Sequence, residues 1–363
     1  MDALITIVSF LLIIGVLVFV HELGHFWVAR RNGIKVEEFA FGLPLLPRIW
    51  SMKRGETTYS IYPVPIGGFV RMLGEDGGRR AARSKRSFAS KSAGVRAKVL
   101  IAGVAMNALV AYLLLTVGFI LKMQPIALCA NEYPNATYEN DVRIAAVAKD
   151  SPAARAGLKP GDVIRSIAGE RIDCSQEVPH LTGTRAGEST AFGVVRSGEP
   201  RTITVTPGTS GALAGKVGIA PEDRYSELDY PWWEAPYIAL IETVAIVGAT
   251  VTAVAGLFAS ILTQGNVPAG VAGPVGIAKL TGDVVALGGI VILRFVAIIS
   301  LSLAIFNLLP IPALDGGRLV FVGIEKLRRG KPVPPHVEQY IHLAGFAFLI
   351  GLILFITYFD IIR

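Results

Sequence analysis

An apolar run near the start of the chain, residues 4–29, constrains the fold more than any other feature. At 1.5 Å per residue, a helix of this length crosses a bilayer core of about 30 Å. A cleaved signal peptide is a poorer interpretation, because the run is too long and Asp2 stands where a basic residue is expected. The chain is therefore expected to enter a membrane with its first helix.

Composition supports further spans. Hydrophobic residues make up 52% of the 363 residues and charged residues only 17%, whereas soluble globular proteins have about 25% charged residues. Residues 237–261 form another apolar run, which carries Glu242. The remaining apolar runs long enough to cross a bilayer are 99–121, 290–309 and 341–362.

Charge is distributed unevenly between the loops. Residues 35–98 hold 13 Lys and Arg against 5 Asp and Glu, a net charge of +8, and residues 123–236 hold 11 against 15, a net charge of −4. Basic loops stay cytoplasmic, so the first region is predicted to lie inside and the second outside. The net charge of +7 therefore records membrane orientation, and no nucleic-acid partner is expected. Cys129 and Cys174 both fall in the outer region, where a disulfide is permitted.

Two stretches between the apolar runs have the composition of strands and turns. Residues 34–75 contain glycine, proline and β-branched or aromatic residues, which favour short strands. Residues 141–208 contain short apolar strands and a helix signal that starts at Ser151 and stops at Gly157. This second stretch resembles the PDZ domain of bacterial proteases, and PDZ domains bind extended peptides by adding a strand to a sheet edge. A β-rich spacer without a ligand is the alternative.

The first apolar run contains two histidines at a spacing that metal sites use. His21 and His25 lie one helical turn apart on one face, so both imidazoles can bind one metal ion, for which zinc is the usual choice. Glu22 lies beside them and can take a proton from a metal-bound water. Ionisable groups inside a span are costly to bury, which favours a functional site over a polar helix end.

Such a site needs a third ligand. The other three histidines are weak candidates, because one lies in the β-rich stretch and two follow a basic loop. The acidic residues near membrane depth are Glu242, Asp283 and Asp315. Asp315 directly follows a span, in a segment whose two prolines break the helix, and irregular backbone at membrane depth must be buried in protein or line a cavity. Taken alone, the segment is interpreted equally well as an ordinary turn at a helix end.

Together, the two motifs resemble those of the site-2 protease family of intramembrane zinc metalloproteases, specifically its bacterial, RseP-like branch. The stretch from His21 to His25 matches the HExxH motif of the family, and residues 307–316 match its Asn-Pro-Asp-Gly region. The resemblance covers nearly the whole chain, and residues 65–70 are similar to the membrane-associated β segment of the family. RseP-like proteins often carry two tandem PDZ domains, whereas one is found here.

The resemblance implies a role for each residue of the two motifs. One Zn²⁺ ion is expected to be bound by His21, His25 and Asp315, with Glu22 as the general base. Asn307 is expected to help orient the substrate. The implied reaction is hydrolysis of peptide bonds within or near transmembrane segments, as the site-2 step of regulated intramembrane proteolysis. Anti-sigma factors and remnant signal peptides are the typical substrates of the family, and nothing in the sequence chooses between them.

Four small or amide residues have further expected roles. A transmembrane substrate must unwind before cleavage, and Gly67 and Gly68 allow its backbone to approach the β segment closely as an added strand. In the second span, Asn107 lies one helical turn after Gly103. Helix packing is the favoured interpretation of this pair, and a place for Asn107 near the active site is the alternative.

The sequence thus predicts a polytopic α-helical membrane protein with a membrane-associated β segment and an inserted extracytoplasmic PDZ domain. Its partners are expected to be the lipid bilayer, transmembrane protein substrates, and peptide or substrate segments at the PDZ domain. The expected location is the bacterial inner or plasma membrane, with the active site toward the cytoplasm.

The expected segments are 1–33 and 99–122 as the first two spans, 34–75 as the β segment, 76–98 as a basic cytoplasmic linker, 123–235 as the outer region with the PDZ domain at about 141–208, 236–289 as an interfacial or re-entrant helix followed by a Gly/Pro-rich segment, 290–331 as the third core span with its motif and loop, and 332–363 as the last span.

Topology leaves one choice open. Both metal-binding motifs must lie at similar depth, so spans one and three must run in the same direction. If residues 237–261 made a lone extra crossing, Asp315 would emerge on the wrong side. We therefore expect that run to lie along the interface or to re-enter, and the alternative is that residues 264–289 cross back.

Two other functional classes remain open at this stage. A membrane-anchored conventional zincin would place its HExxH motif outside a span and take a Glu or His ligand from a downstream helix. A non-catalytic membrane PDZ receptor or scaffold would tolerate the loss of Glu22 and of the metal.

Overall fold

The computed structural model describes residues 3–75, 84–209, 215–265, 267–268, 271–330 and 333–362. The chain forms two compact units. Unit 1 comprises residues 1–115 and 246–363, and unit 2 comprises residues 116–245. In chain order, the elements are α1 (Ala3–Arg31), β1 (Val36–Leu43), β2 (Trp50–Arg54), β3 (Thr57–Ile61), β4 (Val64–Met72), α2 (Ala93–Ile120), β5 (Thr137–Val147), α3 (Pro152–Ala156), β6 (Val163–Ile167), β7 (Glu170–Arg171), α4 (Glu177–Gly183), β8 (Thr190–Arg196), β9 (Glu199–Val205), β10 (Ile219–Asp229), α5 (Ala235–Gln264), α6 (Pro274–Leu287), α7 (Gly289–Leu308), α8 (Asp315–Leu327) and α9 (Pro335–Ile362).

Five of the described helices are long and apolar enough to cross a membrane: α1, α2, α5, α7 and α9. Their surfaces expose many large apolar side chains, which water would disfavour and lipid accommodates. The protein is therefore a multi-pass membrane protein. The predicted fold class, polytopic and helical with a β segment and an inserted PDZ domain, is confirmed.

The β segment of unit 1 is a four-stranded sheet in the order β2-β3-β1-β4. Strand β1 pairs in parallel with β3 and antiparallel with β4. Val36, Phe39, Val70 and Met72 are buried in one apolar cluster with Ala29 near the end of α1. Among the described strands, β4 pairs with β1 alone, which leaves its other edge without a strand partner.

Helix α2 begins at Ala93, so the last residues of the predicted 76–98 linker are helical. Arg96 in its first turn forms an ion pair with Glu325 of α8 at 2.5 Å. The ion pair neutralises the charge of an arginine inside the helix, in a stretch that the sequence predicts as part of the linker. The predicted linker residues 76–83 lie outside the described residues.

The short helix α6 packs beside the end of α9 and the start of α1. The Asp360 carboxylate near the end of α9 accepts hydrogen bonds from the backbone N–H groups of Gly273 and Gly276, at 3.1 and 2.8 Å. Further along α6, Gly282 packs directly on Thr6 near the start of α1. Gly288 then separates α6 from α7, with a φ of 99° that favours glycine.

Unit 2 is built on a sheet in the order β10-β5-β6-β8-β9, with β7 paired to β6. Ile144, Ile164, Ile167 and Phe192 are fully buried in its core. The predicted helix signal is confirmed, because the Ser151 side chain accepts a hydrogen bond from the Ala154 N–H and Gly157 ends α3 with a φ of 86°. The sheet extends beyond the predicted limits of 141–208, since β10 pairs with β5 over most of its length.

Unit 2 also contains a buried carboxylate and a disulfide. Glu242 of α5 is fully buried and accepts hydrogen bonds from three successive backbone N–H groups, residues 126–128, and from the Tyr133 hydroxyl. Burial, and then the nearby Glu242 charge, raise the pKa of Tyr133, which keeps this hydroxyl a donor. Cys129 and Cys174 form a disulfide, in the region where the sequence permits one.

Candidate active site

The first two site residues come from α1. His21 and His25 lie one turn apart, are each only 6% exposed, and place their Nε2 atoms 3.0 Å apart. The Nδ1 atom of His25 is 2.8 Å from the Val99 carbonyl of α2. As the carbonyl can only accept a hydrogen bond, this contact places the His25 proton on Nδ1 and leaves Nε2 free to bind a metal.

Asp315 is brought to the same point by the broken segment after α7. The helix ends at Leu308, a loop with Pro310 and Pro312 follows, and Asp315 is the first residue of α8. Its Oδ2 atom lies 2.9 Å from His21 Nε2 and 3.1 Å from His25 Nε2. Two nitrogens and one carboxylate oxygen from distant parts of the sequence therefore face one another.

The donor set fits a zinc ion. Zinc binds His nitrogen and carboxylate oxygen at about 2.0–2.2 Å in a tetrahedron, whose ligand atoms are then about 3.3 Å apart. The three observed separations of 2.9, 3.0 and 3.1 Å are close to that edge length. Three protein ligands leave the fourth position of a tetrahedron for water or substrate, which is the pattern of catalytic zinc sites.

Small residues let α1 and α2 approach closely at the site. A Cβ atom on Gly24 would lie 2.4 Å from the Ala102 carbonyl oxygen, and one on Gly103 would lie 2.5 Å from His25 Nε2. Neither position has room for a side chain. Gly103 thus packs directly on the imidazoles, which gives it a more specific role than the general helix packing expected from the sequence.

A cavity of about 250 Å³ opens beside the three ligand atoms. It contains Glu22, the expected general base, and Asn307, the expected substrate-orienting residue. The residues lining it are Val18, His21, Glu22, Asn107, Leu303, Asn307, Ala313, Leu314 and Asp315. Four of the five motif residues singled out in the sequence line this cavity, and the Nε2 atom of the fifth, His25, lies 3.0 Å from that of His21.

The two amides in the cavity differ in their partners. The Asn307 Nδ2 atom donates to the Leu303 carbonyl of its own helix, at 3.0 Å. Asn107 is fully buried, and neither its Nδ2 nor its Oδ1 atom has a hydrogen-bond partner within the described residues. The favoured interpretation of Asn107 as a packing residue is thus incomplete, because its side chain lines the cavity.

Strand β4 passes next to Glu22. Gly67 has a φ of 95°, a conformation that favours glycine. A Cβ atom on Gly68 would lie 2.8 Å from the Ala40 carbonyl oxygen and 3.4 Å from Glu22 Cγ. Gly68 therefore lies where the sheet comes close to the site, whereas Gly67, one residue earlier, packs on Leu43.

Two supporting residues are not identified by sequence reasoning. His342 of α9 accepts a hydrogen bond through Nδ1 from the Ala313 N–H at 2.8 Å, and Ala313 has a φ of 81°, unusual for a residue other than glycine. Arg318, one turn after Asp315, forms an ion pair with Glu75 at the end of β4. Both contacts hold the backbone that presents Asp315, and a lone histidine in an apolar helix gives no sequence signal for such a role.

The whole chain resembles known proteases. The profile of peptidase family M50 matches residues 9–352. The zinc metalloprotease RasP of Geobacillus kaustophilus is 31% identical over 439 residues, covering 99% of this chain and 98% of the relative. The regulator of sigma-W protease RasP of Bacillus subtilis is 29% identical, covering 99% and 98%. Among solved structures, the PDZ domain of an SdrC-like protein from Listeria monocytogenes matches 22% of this chain and 85% of its own, at 22% identity and a TM-score of 0.21. The chain belongs to peptidase family M50, the site-2 type of intramembrane zinc metalloprotease.

Proposed function

We propose that His21, His25 and Asp315 hold a single catalytic zinc ion and that Glu22 is the general base for peptide hydrolysis. The observation that supports this most strongly is the convergence of two Nε2 atoms and one Oδ2 atom within about 3 Å of one another. Because these atoms come from two helices far apart in sequence, a simple structural turn does not explain their meeting.

The chemistry follows from the residues around the cavity. Bound zinc would polarise the scissile carbonyl and lower the pKa of a bound water to about 7, as in known zinc enzymes. Glu22 takes the water proton as the water oxygen attacks the carbonyl carbon, and it passes that proton to the leaving amine when the C–N bond breaks. The apolar residues Val18 and Leu303 line the cavity and limit the entry of bulk water.

The ligand assignment is tested by metal analysis of the purified full chain. We expect Asp315→Asn to lose most of its zinc and to cleave a reporter transmembrane substrate at background level. Asp283→Asn, an exposed acidic residue of α6, is the matched control and should keep both zinc and activity. Unchanged zinc in Asp315→Asn would remove Asp315 as a ligand.

The free edge of β4 is proposed to hold the substrate. A helical substrate hides its amides in hydrogen bonds, so a protease must bind it as an extended strand, and an unpaired strand edge supplies the backbone groups to do so. Gly68 places that edge beside Glu22, and Asn307 would orient the strand through its Oδ1 atom and the second N–H of its Nδ2 group, since the first N–H is donated to Leu303.

This placement is tested with a photo-crosslinking amino acid. Introduced at Phe69 in a Glu22→Gln enzyme, it should crosslink to residues flanking the scissile bond of a reporter substrate. The same probe at Met52 of β2, an exposed residue on the opposite edge of the sheet, is the control. Equal crosslinking from both positions would argue against β4 as the substrate edge.

The active site is proposed to lie in the cytoplasmic half of the membrane. Helix α6 contacts Thr6 through Gly282, and Thr6 precedes His21 by 15 residues, or about 22 Å along α1. Helix α6 therefore lies far from the site, at the helix ends that the charge pattern places outside. Only residues 265–273 connect α5 to α6, and a spanning helix needs about 20 residues. We therefore propose that α5 lies along the outer interface without crossing, with the exposed Trp232 and Trp233 as anchors before it.

Cysteine accessibility tests this topology. A cysteine introduced at Gly265 should react with a membrane-impermeant reagent added from outside, and one at Gly330 should react only after the membrane is opened. Protection of Gly265 from the outside reagent would place α5 across the membrane and contradict the proposal.

The PDZ domain is proposed to bind peptide or substrate segments outside the membrane, and so to act as a docking site or a size filter. The name of the Bacillus subtilis relative, regulator of sigma-W protease, supports a site-2 step in regulated intramembrane proteolysis for this chain. Deleting the domain should widen the range of substrate lengths that are cleaved, and an unchanged range would argue against a filter.

A further inference from the structure

The cavity holds one polar side chain to which neither the ligand set nor the general base gives a role. Asn107 is fully buried on α2, and its carboxamide faces the cavity that contains Glu22 and Asp315. A buried amide without partners costs free energy of folding, so its presence calls for an explanation. Neither amide atom of Asn107 is bonded within the described part of the chain.

The position of Asn107 is fixed by contacts that leave its side chain free. Its backbone carbonyl accepts a hydrogen bond from the Ser300 hydroxyl of α7, at 2.8 Å. One turn earlier, Gly103 packs against the metal-binding nitrogens of His21 and His25. Residues i and i+4 on a helix are about 6 Å apart, so the Asn107 amide lies about one turn from the ligand atoms, on the same face of α2.

Of the two described amides in the cavity, that of Asn107 is the one with no hydrogen-bond partner at either atom. The Nδ2 group of Asn307 donates one of its two N–H groups to the Leu303 carbonyl, which ties the orientation of that amide to its own helix. Glu22, as a base, and Asp315, as a ligand, also act as acceptors when ionised. Among the described residues lining the cavity, Asn107 Nδ2 and His21 Nδ1 are buried without a hydrogen-bond partner, and His21 Nδ1 belongs to a ring whose Nε2 atom is already assigned to the metal.

We propose that the Asn107 Nδ2 group donates a hydrogen bond to the substrate carbonyl oxygen as negative charge develops on it. When the water oxygen bonds to the carbonyl carbon, the π electron pair of the C=O bond moves onto that oxygen, and Glu22 holds the water proton. Collapse of this tetrahedral species breaks the C–N bond, and the leaving amine takes the proton. A fixed donor in a cavity shielded from water stabilises the charge at this stage more than it stabilises the bound substrate.

The test compares three variants of the full chain acting on one reporter transmembrane substrate. Asn107→Ala removes the donor, Asn107→Ser differs from it by one hydroxyl that can donate, and Ser300→Ala removes the bond to the Asn107 backbone without touching the carboxamide. Removing an oxyanion donor lowers kcat by about 100- to 1,000-fold in known enzymes. We expect such a fall in kcat for Asn107→Ala, a smaller fall for Asn107→Ser, and a change within about threefold for Ser300→Ala, with KM and zinc content unchanged in all three.

A binding measurement that does not depend on turnover accompanies the kinetics. A phosphinic peptide built on the reporter sequence carries the tetrahedral geometry and the charged oxygen, so its affinity should fall in Asn107→Ala by about the same factor as kcat. Binding of the uncleaved reporter should stay the same in a Glu22→Gln background with or without Asn107→Ala.

Several results would overturn the inference. Equal activity of Asn107→Ala and Asn107→Ser, an effect on KM alone, or a Ser300→Ala loss as large as that of Asn107→Ala would each show a packing role instead, as would loss of zinc from Asn107→Ala. The inference rests on the proposed hydrolytic function, which Glu22→Gln tests separately. A Glu22→Gln enzyme that cleaves normally would overturn both, whereas an inactive Glu22→Gln enzyme with a fully active Asn107→Ala enzyme would overturn only the role of Asn107.

Discussion

Each unit holds a carboxylate with little exposure to solvent, fully buried at Glu242 and 16% exposed at Asp315, and the two have opposite surroundings. Glu242 in unit 2 is surrounded by donors, because three backbone N–H groups and the Tyr133 hydroxyl point at it. Asp315 in unit 1 faces the Nε2 atoms of two histidines, which are themselves potential metal ligands. A carboxylate whose oxygens accept hydrogen bonds from surrounding donors stabilises the fold. A carboxylate that faces other metal-binding atoms is instead suited to bind a cation. Burial of an acidic residue therefore does not identify a metal site until its partners are known.

The largest effect is expected from removing one of the proposed metal ligands that face Asp315. His25→Ala should lose zinc and lower the cleavage rate at least about 100-fold, because the general base then has no activated water to deprotonate. His180→Ala, an exposed histidine in the PDZ domain, is the matched control and should cleave as wild type. Retention of zinc by His25→Ala would mean that the three facing atoms are not the metal site.

Removing the charge at Glu242 should affect folding rather than metal binding. Glu242→Gln replaces an acceptor oxygen with an N–H₂ group that meets backbone donors, which should lower the free energy of unfolding by about 1–3 kcal/mol. Thermal unfolding in detergent measures this, with Glu227→Gln on exposed β10 as the control. If Glu242→Gln lost its zinc while its unfolding temperature stayed the same, the contrast between the two carboxylates would fail.

A smaller effect is expected from the residue that supports the Asp315 loop. His342→Ala removes the acceptor for the Ala313 N–H in a backbone segment with an unusual φ, and an ordinary hydrogen bond of this kind contributes about 0.5–1.5 kcal/mol. We expect cleavage to fall about tenfold and zinc to be released more readily to a chelator, with rescue by His342→Asn, which retains an acceptor. Normal activity and normal zinc retention in His342→Ala would show that the loop does not depend on this contact.

The smallest effect is expected from acid on the PDZ unit. Burial pushes the pKa of Asp162 upward, but hydrogen bonds from Arg196 and the Lys159 N–H outweigh it and lower the pKa. A carboxyl whose folded pKa is lowered stabilises the fold above its unfolded pKa, about 3.9, and this contribution is lost as pH falls below that value. Wild type should therefore lose more stability between pH 6 and pH 3 than Asp162→Asn does, as measured by thermal unfolding. Identical pH profiles would contradict this assignment.

The residues proposed to bind the metal could be singled out from the sequence because helix geometry and chain breaks leave a clear pattern. His21 and His25 are spaced by one turn, and the two prolines before Asp315 mark irregular backbone at membrane depth. Asn107 could be given two interpretations, since an asparagine in an apolar helix serves packing or a cavity equally well. Only the packing of α2 against α1 and α7 decides between them.

Other features depended on contacts that the local sequence does not encode. The start of α2 falls in the predicted linker because residues 76–98 are basic and contain serine and glycine, whereas the ion pair of Arg96 with Glu325 is made by a helix more than 200 residues away in sequence. The predicted PDZ limit of 208 leaves out β10, a strand rich in charged residues whose pairing with β5 is a long-range contact. The support from His342 is equally non-local.

The central claim is that Glu22 performs hydrolysis at a zinc ion held by His21, His25 and Asp315. The most direct test measures zinc content and cleavage of a reporter transmembrane substrate together, in wild type and in Glu22→Gln. We expect Glu22→Gln to keep the zinc content of wild type and to cleave at least about 100-fold more slowly, since general base catalysis contributes about 100- to 10,000-fold. Cleavage by Glu22→Gln at the wild-type rate would contradict the claim.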